Sequence, residues 1–113
     1  MRVRQGLAVV LCAGYAASFG PAAAQDQAEV ARGNEVFRNW CAPCHAPGPR
    51  HPGTQALDAL YRGEKPGALE QRADLAPEVT KTFVRSGVSI MPPFRKTEID
   101  DDDLEALAAY LAK

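Results

Sequence analysis

The chain is 113 residues long, 46% hydrophobic and 24% charged, with 13 basic against 14 acidic residues and a formal charge of −1. That length holds one domain, and the even charge balance excludes an electrostatic nucleic-acid binder. No apolar run reaches the roughly 18 residues of a membrane span, and collagen-like, disordered and disulfide-scaffold compositions are excluded as well.

Arg2 and Arg4 precede an apolar stretch from Leu7 to Ala17, and Ala22-Ala23-Ala24 supplies small residues for cleavage. This pattern predicts a signal peptide over residues 1–24, cut after Ala24, and one domain over residues 25–113. An uncleaved anchor is the competing reading, but the apolar run is short and ends in a cleavage site. Cys12 raises lipid modification as a further alternative; Leu11 stands before it, where such sites carry a small residue. Cleavage leaves Cys41 and Cys44 as the cysteines, Met91 as the methionine and no membrane span. Export places the domain in the periplasm, where two nearby thiols do not stay idle. So short a domain fills its own core only marginally, and a staple or cofactor commonly helps.

The first predicted helix runs from about Gln27 to Asn39, with Val30, Gly33, Phe37 and Trp40 recurring at spacings of three and four. Gly33 in its interior costs about 1 kcal/mol relative to alanine, so another helix is expected to cross closely there, with a plain surface glycine as the alternative. A short helix follows from Thr54 to Arg62, with Gly63 as its stop. A third begins at Pro77, suited to the first helical position, and ends at Gly87 with Val79, Phe83 and Val84 on one face. The last runs from Asp101 to about Ala112 on a stripe of Leu104, Leu107, Ala108 and Leu111. The acids Asp100 to Asp103 read as caps and partners of the helix dipole before they read as a docking patch. Connections at Ala46–Gly53, Glu64–Ala68 and Met91–Phe94 are rich in proline and glycine, and no period-two strand pattern appears. The fold class is all-α.

Cys41-Ala42-Pro43-Cys44-His45 reads C-x-x-C-H, the attachment sequence of c-type haem. Thiols one helical turn apart can add to two vinyl groups on one side of a porphyrin, and the next residue, His45, then lies under the iron as proximal ligand. A zinc site lacks ligands, since only His51 remains besides the motif. A redox dithiol lacks its βαβ context, and a Cys41–Cys44 disulfide closes too short a loop to stabilise much. One covalent haem c is the expectation.

A low-spin electron-transfer haem takes a second strong ligand, and a Met/His pair raises the potential. Met91 is the candidate, held extended by Pro92-Pro93. Taken alone, a methionine between apolar neighbours fills core; His51, the rival, is tethered to the proximal side and otherwise reads as a satisfied or exposed loop histidine. Pro49 or Pro52 can offer a carbonyl to the free N–H of His45, and Pro52 is the choice, although both can be loop stiffeners. Tyr61, Arg62 or Arg50 can meet the propionates, and Phe83 and Phe94 can line the haem. Arg95 and Lys96 are either solvated charges or contacts for an acidic partner.

The C-x-x-C-H of Cys41–His45, Met91 followed by proline, and terminal helices bearing Gly33/Phe37 and Leu107/Tyr110 resemble class I c-type cytochromes from about Val30 to Leu111. The resemblance implies about four helices around one covalent haem, first and last helices crossing with Gly33 and Phe37 against Leu107 and Tyr110, His45/Met91 ligation and one-electron transfer. With both axial positions filled, such a chain is not itself an enzyme. Phe83-Val84-Arg85-Ser86-Gly87 leading to Met91-Pro92-Pro93-Phe94 is similar to the small cytochrome subunits of periplasmic flavocytochromes such as p-cresol methylhydroxylase. That likeness implies a flavoprotein dehydrogenase as electron donor and a downstream cytochrome, cupredoxin or oxidase of the respiratory chain as acceptor. The segment Thr54–Asp74 does not match it. The alternatives are a freely diffusing cytochrome c serving a terminal oxidase or reductase and, third, a haem sensor or peroxidase.

Overall fold

The computed structural model describes residues 21–113, with side chains from Asp26 onward. The predicted leader therefore lies, apart from residues 21–24, outside the described residues. Helix α1 (Pro21–Val36) runs into a π-turn (Phe37–Cys41) and then into α2 (Ala42–His45). The helical path thus passes the expected end at Asn39 and carries the whole C-x-x-C-H motif. A π-turn is wider than an α-turn and shifts the residues that follow it around the axis. It buries Phe37 and Cys41 and leaves Trp40 43% exposed. The expected face of Val30, Gly33, Phe37 and Trp40 is corrected accordingly: Gly33 and Phe37 point inward, while Val30 and Trp40 stay on the surface.

Helix α3 (Pro52–Tyr61) starts at the proline, two residues before the expected Thr54, because proline's fixed φ suits the first helical turn. Arg62 ends it in the left-handed conformation at φ 51°, and Gly63 follows at φ 87°. A 3-10 turn (Leu69–Gln71) interrupts the long connection to α4 (Pro77–Ser86). Gly87 stops α4 as expected, at φ 66°. Val84 is buried, whereas Val79 and Phe83 on the same predicted face are exposed. Helix α5 (Asp101–Leu111) is capped by Asp100, whose Oδ1 accepts from the Asp103 N–H at 2.7 Å. Its stripe Leu104, Leu107, Ala108 and Leu111 is buried throughout. Among the described residues there is no strand, and a single β-bridge joins Val88 to Met91.

The core lies where α1, α4 and α5 meet. Phe37, Ile99, Leu107 and Leu111 are its most enclosed large side chains. Burying an aliphatic or aromatic side chain of this size contributes about 1.5–3 kcal/mol. Tyr110 stands 5.8 Å from Phe37 between ring centroids, and Arg32 on α1 donates to Asp103 on α5 at 2.7 Å. The α1/α5 crossing is thus sealed by an apolar centre with a polar edge. It fixes the end of α1, and with it the start of the C-x-x-C-H turn. Among the described residues no helix is long and apolar enough to cross a membrane.

Candidate functional site

The π-turn delivers Cys41 to the interior and α2 turns Cys44 outward; the two thiols are not joined to each other. Burial, and secondarily the neighbouring Cys44, pushes the Cys41 thiol up to about 12. His45 ends the same turn. Burial lowers its pKa and so favours neutral imidazole, the form that binds a metal.

Three residues around the start of α3 support this turn. Thr54, buried, donates from Oγ1 to the carbonyl of Ala46 at 2.8 Å, just beyond His45. His51 donates from Nδ1 to the carbonyl of Pro43 at 3.0 Å. Gly53 touches the imidazole itself: a Cβ there would lie 2.6 Å from Cε1 and 2.9 Å from Nδ1 of His45, and 2.8 Å from the carbonyl oxygen of Cys44. Helix α3 is therefore a platform for the motif. Its tightest contact requires glycine.

The expected hydrogen bond from His45 to the Pro52 carbonyl is not formed. Nδ1 of His45 is buried without a partner. Pro52 is drawn into the first turn of α3, and the carbonyl of Pro49 accepts from Gln55 Nε2. An unpaired buried donor or acceptor costs about 1–3 kcal/mol, which a fold tolerates at a functional atom more readily than elsewhere.

Met91 is half-buried and packs against the core, as does Phe94. Phe94 lies edge-on to Trp40, with ring centroids 5.9 Å apart. The hairpin Val88–Met91 is closed by Val88 N to Met91 O at 3.0 Å and Met91 N to Val88 O at 2.9 Å. It folds so tightly over Gly87 that a Cβ there would lie 2.7 Å from the Met91 carbonyl oxygen. Phe83 is 44% exposed.

Tyr61 belongs to a separate polar cluster. Its hydroxyl accepts from Arg72 Nη1 at 2.7 Å, and Lys65 and Arg72 lie 4.8 and 5.0 Å from its ring centroid. Arg72 is buried and donates from Nε and Nη2 to both oxygens of Asp74, at 2.6 and 2.8 Å. Asp74 is held well below the usual carboxylate range by Arg72 and then Lys65. Arg50 and Arg62 are exposed on loops. Lys96, offered as a partner contact, is paired with Asp101 at 2.6 Å, and Arg95 lies 3.8 Å from Glu98.

The residues present fit a covalent haem: two thiols on one helical turn, a neutral imidazole beside them with an orphaned nitrogen, and a thioether on a packed loop. No sequence motif marks the roles that Gly53, Thr54, Arg72 and Arg85 take here, and Gly87, expected only as the stop of α4, also seats the Met91 hairpin. Gly53 and Thr54 left one usable signal, a glycine and a threonine directly after the proline that opens α3.

This helical fold around a C-x-x-C-H turn defines a class I c-type cytochrome. The family model described as "Cytochrome C oxidase, cbb3-type, subunit III" matches residues 28–111, and the chain belongs to that family. It is 32% identical over 84 residues to cytochrome c6 of Cyanidioschyzon merolae (strain NIES-3377 / 10D), an alignment covering 74% of this chain and 73% of that protein. No solved structure matches it. The chain carries covalently bound haem c and is an electron-transfer protein, not an enzyme.

Proposed function

We propose that this cytochrome is exported to the periplasm, accepts single electrons from a flavin dehydrogenase of the p-cresol methylhydroxylase type, and passes them to the respiratory chain through a cytochrome, cupredoxin or oxidase. Cys41 and Cys44 would form the thioethers, and His45 and Met91 would hold the iron. When bound, the haem supplies one-electron chemistry between ferric and ferrous iron. The chain's own residues orient and enclose it: Gly53 sets the His45 ring, Thr54 and His51 fix the backbone on either side, and the Val88–Met91 hairpin presents the thioether. Low dielectric around the iron and the Met/His pair then set the potential.

The observation that carries this reading is the C-x-x-C-H turn seated on α3, in a fold where a methionine loop tied to α4 packs against the same core. The donor rests on the likeness of Phe83–Phe94 to flavocytochrome subunits. The acids of α5 do not offer a ready docking patch, because Asp100 caps the helix and Asp101 and Asp103 are paired with Arg85, Lys96 and Arg32.

Gentle purification from the periplasm, followed by native mass and flavin content, tests the assignment. The expected result is a complex with a larger flavoprotein whose substrate reduces the haem. A lone haem protein would instead favour the second reading, a diffusing carrier for a terminal oxidase or reductase. That reading has support of its own in the match to cytochrome c6 over most of both chains.

A further inference from the structure

Met91 sits on a segment held at two points, by its own hairpin upstream and by α4 downstream. Upstream, the bridge between Val88 and Met91 closes the hairpin directly after the Gly87 cap. Downstream, both backbone groups of Phe94 are tied to α4. Its N–H donates to the Val84 carbonyl at 2.8 Å, and its carbonyl accepts from Arg85 Nη1 at 3.2 Å. The same Nη1 donates to the carbonyl of Ile99 at 2.8 Å, and Nη2 donates to Asp101 Oδ1 at 2.9 Å. Between the two grips stand Pro92 and Pro93, which have no N–H to donate. The span that carries the thioether therefore has no backbone donor of its own between Met91 and Phe94.

We propose that Arg85 is a positioning residue for Met91: its guanidinium, clamped on the carbonyls of Phe94 and Ile99, holds the return segment so that the thioether stays on the iron. The proposal rests on Met91 being the distal ligand. Arginine suits the task because its rigid fork spans several acceptors at once, whereas a lysine ammonium is a point donor on a flexible stem. The side chain is 26% exposed, so water competes only partly for these bonds. The Asp101 contact is the dispensable leg, since that carboxylate is exposed and shared with Lys96.

The test compares wild-type holoprotein with R85Q, R85K, D101N and M91A. It reads the weak long-wavelength absorption of thioether-ligated ferric haem, the affinity of the ferric protein for imidazole, and the guanidinium unfolding midpoint. Loss of two charge-assisted bonds predicts that R85Q binds imidazole about tenfold or more tightly, with a weakened thioether band. R85K, which also covers failure of R85Q to fold, should fall between R85Q and wild type. D101N should keep the band and stay within about twofold of wild type, since both carbonyl bonds remain. The proposal is overturned if R85Q and R85K match wild type in imidazole affinity, or if D101N reproduces R85Q, which would make the ion pair the cause. A wild-type thioether band that survives in M91A overturns the Met91 assignment itself, and the clamp with it.

Discussion

The carbonyl oxygen of Ala106 lies 2.0 Å from the point where a Cβ on Gly33 would stand, and the Tyr110 Cβ lies 2.6 Å from it. Helices α1 and α5 therefore cross with backbone against side-chain root. Gly33→Ala gains about 1 kcal/mol of helix propensity, but the collision is with backbone and cannot be relieved by a rotamer change. Overpacking of this kind costs about 1–3 kcal/mol and more when backbone must move. Guanidinium unfolding of the ferric holoprotein should show a lower midpoint for Gly33→Ala, and an unchanged midpoint would mean that the helices separate freely.

Tyr110 seals the same crossing from the polar side. Its hydroxyl accepts from Asn34 Nδ2 at 3.0 Å and donates to Glu70, joining α1 and α5 to the 3-10 turn. Burial and then the Glu70 carboxylate push the phenol up to about 12. A raised phenol pKa means that the folded state prefers the neutral form. Its contribution is full below the ordinary pKa of about 10 and is lost as pH rises through the folded value. Tyr110→Phe should cost about 0.5–1.5 kcal/mol at neutral pH for the lost hydrogen bonds. The gap between wild type and variant in unfolding free energy should narrow from pH ~10 upward; a constant gap would show that the phenol titrates alike folded and unfolded.

What could be read without coordinates was what is local. The C-x-x-C-H string is contiguous, the Leu104–Leu107–Leu111 stripe repeats at helical spacing, and Asp100 stands one residue before its helix. What escaped depends on contacts between distant segments. Nothing local marks a π-turn over Phe37–Cys41, so the spacing of Trp40 points to a face it does not share. Arg72 is buried because a loop brings it onto Tyr61 and Asp74, and a single arginine in a polar stretch carries no sign of that. Val79 and Phe83 have the period of Val84, yet only Val84 meets the core. Pro52 has the sequence position of a free carbonyl beside His45, but it opens α3 instead.

Gly53 shows how a small residue sets a reactive one. With Cε1 of His45 2.6 Å from the virtual Cβ and the Cys44 carbonyl at 2.8 Å, Gly53→Ala must tilt the ring or lift α3 away from the motif. Either movement misplaces the imidazole relative to the two thiols. The expected result is a smaller haem-bearing fraction, read by mass spectrometry of the purified chain, and a loss of about 1–3 kcal/mol in what does assemble. Wild-type haem loading and stability would show that the platform yields without consequence.

Gly87 constrains Met91, the second ligand proposed above, in the same way. Its φ of 66° and ψ of 170° fall in a region that is essentially glycine's alone. A Cβ would meet the Met91 carbonyl oxygen at 2.7 Å, Pro93 N at 2.8 Å and Pro92 C at 3.0 Å. All three atoms belong to the segment carrying the thioether, so relief of the clash displaces Met91 before it disturbs the core. Gly87→Ala should therefore cost about 1–3 kcal/mol of backbone strain and also lower the reduction potential, because a Met/His pair raises it. The ferrous variant should bind carbon monoxide more readily than wild type. Val88→Ala supplies the contrast: Val88 is 51% exposed, and its backbone bonds to Met91 survive the substitution. If Gly87→Ala lost stability but kept both the wild-type potential and its resistance to carbon monoxide, the glycine would serve the turn alone and not the placement of Met91.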